Sequence, residues 1–575
     1  MKFRAWKFAP AFLVCAVALW ALVATQPSAP PSPASLLPDG ALLYLQATDF
    51  HSLLERWNQS PEKRSWLSSD NYAVFSQSRL FGRLSQAQDE FSAAAGISVG
   101  SNLLETIAGQ QSALGLYDIG NLGFVYLTRM NQAAIEATPL WQTRSKFEQR
   151  SEAGTPFYVR VDPQSKRVAA FAASNGWLIL GTREDLVAGV LDRVNGTAAS
   201  SLANESWFLA ALGKAPAQPG DLRMVLDLTK IVPSPYFRSY WVQQNITQMK
   251  QYASAVSDLY CASSAWREQR VLLRSSAGAA APPSNVSSLM ALVPAGTAFW
   301  SARSAPAMPA LMASLRGDML DPQPTASPGI ELAPPTAAVA NAGSATDFET
   351  RIDQAPAVQA ETHPWQPLHD LVVAAQPTGI LTAYDIGPPR TGVFFPIQRA
   401  MVLAAQQNWN DAAVRQAIAQ ALSPVLTVSG LGLQWQQRSG AAGDYYALNG
   451  LVPLFAAVRG PRLFLSNDSD LLEQLLANNG KSAGSSGAAV TYAAAFDHSP
   501  AQQAAFRTVT GLLDRAGNSG SQDDGASPPA GQSPAFFSGN IASLSRVFAT
   551  VSQETIEEQD HGATVTQTVH YLWAH

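Results

Sequence analysis

Two hydrophobic rhythms alternate along this chain. In GTPFYVRVD (Gly154–Asp162), RVAAFAAS (Arg167–Ser174) and GWLILGT (Gly176–Thr182), short apolar runs of strand length are broken by turn residues. They predict three neighbouring strands joined by tight turns, hence antiparallel. Immediately afterwards the rhythm changes. Leu186, Val190, Leu191 and Val194 fall at i, i+4, i+5 and i+8, one face of a helix. Thr182 is placed to cap it, with Asp185 as an acidic partner three residues on, and Asn195-Gly196 closes it. The tracts Thr128–Ala153 and Pro235–Gln251 also read as helices. Tyr260–Ser275 and Glu554–His575 read as hairpins, the second placing Val565, Val569, Tyr571 and Trp573 on one face.

The same succession occurs twice. Leu36–Trp57 and Ala291–Leu315 each run from a Pro-x-Gly turn through an apolar strand into a helix. Tyr117–Gly120 and Tyr384–Gly387 both read YDIG, and each precedes an aromatic-rich run ending in Arg129 or Arg399. One four-residue match is expected about once by chance between halves of this size; the unbroken order of several matches carries the argument. Phe171–Gly196 faces Phe455–Gly480, where Leu471, Leu472, Leu475 and Leu476 repeat the stripe. Asp468 or Ser469 supplies the cap there, and Asn479-Gly480 closes the helix. VLDL ending at Leu228 faces AAAFD ending at Asp497.

Runs of strands between amphipathic helices predict an α+β fold, with a mainly antiparallel sheet in each of two tandem related domains. The expected boundaries are a first repeat at 36–275, a linker at 276–286 and a second repeat at 287–575. Flexible insertions rich in Pro, Ala, Gly or Ser are expected at 322–346, 480–489 and 516–534.

Composition narrows the class. The chain has 575 residues, 47% hydrophobic and 14% charged, which suits two or more packed cores and excludes global disorder. A net charge of −5 argues against a broad nucleic-acid surface. The two cysteines are Cys15 and Cys261. Because Cys15 lies in the apolar N-terminal run, the folded part has one thiol, no internal disulfide and no cysteine-based zinc site.

That N-terminal run is the clearest functional signal. Lys2, Arg4 and Lys7 precede an uncharged stretch from Phe8 to Thr25. At about 1.5 Å per residue it spans about 27 Å, close to the hydrocarbon thickness of a bilayer. The cations favour the cytoplasmic side and place the rest of the chain outside. Residues 1–25 therefore read as a signal anchor or a cleaved signal peptide, and the Pro-rich segment 26–35 as an extended spacer.

Chemical motifs are sparse. The seven histidines form no HExxH or other helical ligand pair, and there is no nucleophile elbow or phosphate loop. No cofactor and no metal site is expected. Asp118 and Asp385 are acids placed alike in both copies. They could face each other as a carboxylate pair, but Asp followed by Gly120 or Gly387 is more simply a turn. Arg129 and Arg399 could each pair with the preceding strand's Asp. For binding, Tyr236, Phe237, Tyr240 and Trp241 fall at i, i+1, i+4 and i+5, a stripe able to stack on a sugar or dock a partner, though such stripes commonly form a core face.

The anchor, the Pro-rich spacer, the LPDGALLYLQATDF opening and the YDIG hairpin together resemble uncharacterised bacterial envelope proteins built from a repeated α+β module. The resemblance implies no catalytic residues. The resulting expectation is a non-enzymatic, membrane-anchored envelope protein with a duplicated binding or scaffolding domain. It would sit at the inner membrane with its bulk in the periplasm, or be secreted if the signal is cleaved. Its partners would be the membrane, through the N-terminal helix, and an envelope protein or polymer, with no nucleic acid. Two alternatives stand beside it: an extracytoplasmic hydrolase using a carboxylate pair, and a carrier of an apolar ligand. The carrier predicts an apolar pocket of a few hundred Å³ between sheet and helices.

Overall fold

A computed structural model of the chain describes residues 31–77, 79–198, 200–235, 249–278, 286–320, 363–386, 397–426, 434–448, 453–481, 490–499, 502 and 551–573. The expected anchor, the first half of the spacer and most of the expected insertions lie outside these residues; the end of the spacer, expected as extended, is instead a short buried helix at Pro33–Leu36. Among the described residues no helix is long and apolar enough to cross a membrane.

The fold is α+β and its strands form one large antiparallel sheet. In the first half the strands are β1 (Leu43–Ala47), β2 (Ser112–Asp118), β3 (Gly123–Arg129), β4 (Glu148–Glu152), β5 (Thr155–Val161), β6 (Val168–Ser174), β7 (Trp177–Gly181), β8 (Leu222–Asp227), β9 (Tyr252–Cys261) and β10 (Ala265–Arg274). In the second half they are β11 (Phe299–Ser304), β12 (Pro377–Ile386), β13 (Ile397–Ala405), β14 (Trp435–Gly440), β15 (Gly443–Leu448), β16 (Leu454–Arg459), β17 (Arg462–Ser466), β18 (Val490–Asp497), β19 (Val551–Asp560) and β20 (Thr564–Trp573).

Hydrogen-bond pairing orders the first ten as β4-β5-β6-β7-β3-β2-β1-β8-β9-β10. The second ten follow β14-β15-β16-β17-β13-β12-β11-β18-β19-β20. Rank for rank, the two orders are the same. The halves meet where β10 pairs antiparallel with β20, centred on Gln269 opposite Thr568. Two separate sheets were expected; instead this seam makes them continuous. Arg274 closes one end of it with two bonds to the Asp560 carboxylate, at 2.6 and 2.7 Å.

Helices cover both faces, which explains why the central strands are apolar almost without interruption. On β3, Val125 and Leu127 point to one side and Tyr126 to the other. Helix α1 (Pro33–Leu36) covers the first side. On the second side the cover is α2 (Phe50–Gln59), α4 (Arg79–Ala95) and α5 (Ser101–Ile107), with α3 (Pro61–Leu67) following α2. Helix α6 (Glu184–Val194) joins α1, burying Leu186, Val187, Val190 and Leu191 against Ile179 and Ala172. In the second half α7 (Ser469–Ala477) buries Leu471, Leu472, Leu475 and Leu476 against Val402 and Phe464. Each such leucine or phenylalanine contributes about 1.5–3 kcal/mol by leaving water.

Local details depart from expectation in two places. Thr182 does not cap α6: its hydroxyl accepts from the Phe124 amide at 2.9 Å and donates to the Leu122 carbonyl at 2.9 Å, tying the helix start to β3. Arg183 holds the cap position without a side-chain bond. In α7, Asp468 does cap, accepting from the Asp470 and Leu471 amides at 3.0 Å. The tract Thr128–Ala153 is helical only at Gln132–Ala137 and Pro139–Gln142, apart from one 3-10 turn; Glu148–Glu152 is the edge strand β4, because tight pairing with β5 outweighs its charged composition.

Candidate functional site

The carboxylates considered as a catalytic pair stand near the ends of strands β2 and β12, far apart in the sheet. Asp118 accepts from the Asn121 amide at 3.1 Å and its side-chain nitrogen at 2.9 Å, and these bonds hold its carboxyl below the usual range. Asp385 accepts from the Gln502 side chain at 2.8 Å. Eight strands stand between β2 and β12. At about 4.8 Å per strand that is about 40 Å along the sheet, far beyond the reach of paired acid chemistry. Arg129 lies at the other end of β3 from Asp118, its amide bonded to the Gln111 carbonyl, so the expected pairing with Asp118 is not formed. Among the described residues no cluster of three or more metal-ligating side chains occurs. Tyr236, Phe237, Tyr240 and Trp241 lie outside the described residues.

The structure builds its site elsewhere, under the helices of the first half. Leu45 of β1 stands beside Leu114 of β2, Leu114 beside Tyr126 of β3, and Tyr126 beside Leu180 of β7. Odd and even positions of these strands happen to fall in step, so four strands present one cross-strand row to the same face. Above it, Phe50 of α2, Phe91 of α4, Val99, and Leu103, Leu104 and Ile107 of α5 form a roof. Between row and roof lies a cavity of about 260 Å³. A cavity of roughly 150 Å³ with such a lining stays dry and takes a benzene molecule.

The few polar groups in the wall satisfy one another. The Tyr126 hydroxyl donates to the Ile107 carbonyl at 2.9 Å and lies 3.1 Å from the Ser112 hydroxyl, which is 2.7 Å from the Thr128 hydroxyl. Burial pushes the Tyr126 phenol above its ordinary range, so it stays neutral. Gly109 fastens the roof to this network. Its amide donates to Thr128 at 3.0 Å, and its carbonyl receives the Phe50 and His51 amides at 3.1 and 3.2 Å. A Cβ at Gly109 would run into the Arg129 carbonyl and the Thr128 hydroxyl, so the close approach requires glycine.

Two further cavities share walls with the first. One, about 200 Å³, has Phe91, Val99 and Phe124 in common with it and ends at Arg167, which is bonded at 2.6 Å to Glu90 and lowers that carboxyl's pKa. The other, about 580 Å³, has Phe50 in common and reaches the seam. Its walls are Leu53, Leu54, Arg56 and Trp57 of α2, Glu62 of α3, the β9–β10 turn, Trp266 and Trp573. Trp266 and Trp573 meet edge to face, with centroids 5.2 Å apart and planes at 89°. Arg56 reaches the Cys261 carbonyl at 3.3 Å and Asp221 at 3.6 Å. Burial pushes the Cys261 thiol up to about 11, so it is no nucleophile at neutral pH.

The carrier alternative predicts an apolar pocket of a few hundred Å³ between sheet and helices, and this cavity is of that kind; sequence reasoning did not name its lining, which is ordinary apolar residues drawn from positions 45 to 222.

No protein-family model and no curated protein matches the chain. Among solved structures, crystal form I of TP0453 is similar at a TM-score of 0.23 and 11% identity, covering 43% of this chain and 81% of that one. Crystal form IV of the same protein gives 0.24 and 8%, over 42% and 79%. Scores at that level assign neither fold nor function.

Proposed function

We propose that this chain is a non-enzymatic, membrane-anchored envelope protein made of two copies of one α+β unit, and that its first unit carries an apolar ligand such as an acyl chain. The observation that carries the ligand reading is the apolar cavity between the Leu45–Leu114–Tyr126–Leu180 row and the α2–α4–α5 roof, whose polar groups are already bonded to one another. A wall with no polar demand left favours a ligand that brings none. The duplication draws support from the shared strand order of the two halves and from the two hairpins of ten-residue strands that meet at the seam. Anchoring and an extracytoplasmic position draw support from the cations and apolar run of residues 1–25. Scaffolding through the Tyr236–Trp241 stripe gains no geometry from the described residues.

The test is binding of a fluorescent polyunsaturated fatty acid by the purified full chain and by Ala47→Phe. Ala47 is buried in the cavity floor, and the new ring would occupy the space a chain needs. The parent is expected to bind, and the variant to bind at least tenfold more weakly with an unchanged far-UV circular dichroism spectrum. A parent that does not bind, or a variant that binds as well, refutes the reading.

A further inference from the structure

The larger cavity beyond Phe50 has a chemistry of its own. Three tryptophans line it: Trp57 from α2, Trp266 from β10 and Trp573 from β20. Two of them stand perpendicular, forming a corner of two aromatic walls. The negative faces of indole rings attract cations, and such corners are how proteins hold quaternary ammonium groups. Among the described residues, no arginine or lysine of this chain occupies those faces; the cation–aromatic pairs formed are Arg144–Trp141, Arg267–Tyr260, Arg316–Trp365 and Arg415–Tyr446.

Both signs of charge also border the cavity. Glu62 stands at the start of α3, and Arg56 on α2 with its side chain about half exposed. The Arg56 contact to Asp221 is a long 3.6 Å, which leaves guanidinium donors for another acceptor. A wall of aromatic faces, one carboxylate and one guanidinium matches a zwitterion better than a plain anion or cation. Phe50 is wall to this cavity and to the acyl-sized one. The two are therefore neighbours that share the Phe50 ring, the larger one carrying the charged groups.

We infer that the 580 Å³ cavity is a headgroup site for a zwitterionic amphiphile of the phosphocholine or phosphoethanolamine type, with its ammonium against Trp57, Trp266 and Trp573, its phosphate at Arg56, and its chain passing Phe50 into the apolar cavity. This rests on the apolar-ligand reading for the chain and adds to it the identity of the head. Trp573 belongs to the last strand of the second half, so the site requires both halves.

The experiment is calorimetric titration of the full chain, kept in solution by an amphipathic polymer, with three probes below their micelle concentrations: dodecylphosphocholine, laurate and dodecyl sulfate. Dodecylphosphocholine is expected to bind at least tenfold more tightly than the other two. Trp573→Ala and Trp57→Ala are expected to remove that preference while leaving laurate binding as it was. Trp57 lies on a surface helix, so its replacement keeps the test usable should Trp573→Ala fail to fold. Equal binding of all three probes, or a preference that survives in the Trp57 variant, overturns the headgroup site and leaves the cavity reading standing. Binding of none overturns both.

Discussion

The strand that carries Leu222 into the apolar cavity and the residue just before it, Asp221, toward Arg56 is fixed by a buried ion pair. On β8, Arg223 bonds Asp258 of β9 through two nitrogens, at 2.7 and 2.8 Å. The Asp258 carboxylate is fully buried and the Arg223 side chain 8% exposed. Asp258 also accepts from the Gly220 amide at 3.0 Å, and Arg223 donates to the Pro216 carbonyl at 2.6 Å. Asp258→Ala would strand the guanidinium and leave the Gly220 amide without this acceptor. Breaking a buried pair on one side costs about 3–5 kcal/mol, a large share of the roughly 5–15 kcal/mol by which a domain is stable. With an m-value of about 3 kcal/mol/M, the urea midpoint of the first unfolding step should fall by about 1 M. The double variant Arg223→Met/Asp258→Ala should recover at least half of that fall, because no unpaired charge remains. Circular dichroism gives the midpoints, and fatty-acid probe fluorescence should drop at the same urea concentration in the single variant. A shift under about 0.3 M for Asp258→Ala, on the same m-value, would refute the claim that the pair fixes this edge of the site. At the matching place in the second half, Ala493 stands opposite Glu557 instead, so the corresponding Glu557→Ala should move no midpoint.

Gly109→Ala should lower the thermal midpoint and weaken fatty-acid binding together, at a cost of about 1–3 kcal/mol for the forced shift, since the added methyl meets backbone and hydroxyl at the roof's fastening; a fully stable variant would remove Gly109 from the argument. At the seam, burial raises the Glu554 carboxyl, opposed by Arg270 and reinforced by Glu268. A raised folded-state pKa contributes stability below the ordinary Glu range and loses it as pH climbs through the raised value. Glu554→Gln should therefore be more stable than the parent at pH 8, with the gap closing toward pH 4, as thermal melts across pH would read; a gap that widens on acidification would contradict the assignment.

The local elements were legible because their signals are local. The β6–β7–α6 succession and both hairpins follow from alternation, turn residues and a leucine stripe within about twenty-five residues. Thr182 misled because a threonine before a helix has two uses, and tertiary bonding to Phe124 and Leu122 outcompetes capping. In the second half Asn467 stands where Thr182 does and is tied in the same way, accepting from the Arg399 amide and donating to the Ile397 carbonyl, while Asp468, at the place of Arg183, caps. Glu148–Glu152 reads as polar and helical in isolation, and it becomes a strand only because β5 is there to pair with it. The candidate site was illegible for a different reason. Trp57, Trp266 and Trp573 stand near the start, the middle and the end of the chain, and nothing in their spacing announces a corner. A cavity is a place where packing stops, and hydrophobic pattern records only what packs.

The β10–β20 seam has a further consequence. A ten-stranded sheet ending in a long, half-apolar strand offers an open row of amides and carbonyls to any other strand. Here each half spends that row on the other, and the outermost strands, β4 and β14, carry Glu148, Arg150 and Glu152 on one side and Gln436, Gln437 and Arg438 on the other. On the duplication proposed above, the arrangement is that of a two-subunit assembly whose subunits share one backbone. Its association is intramolecular, governed by an effective local concentration rather than by how many copies a cell makes. Dilution that would split a true dimer leaves this one closed, and the Trp573 wall stays beside its Trp266 partner at any expression level.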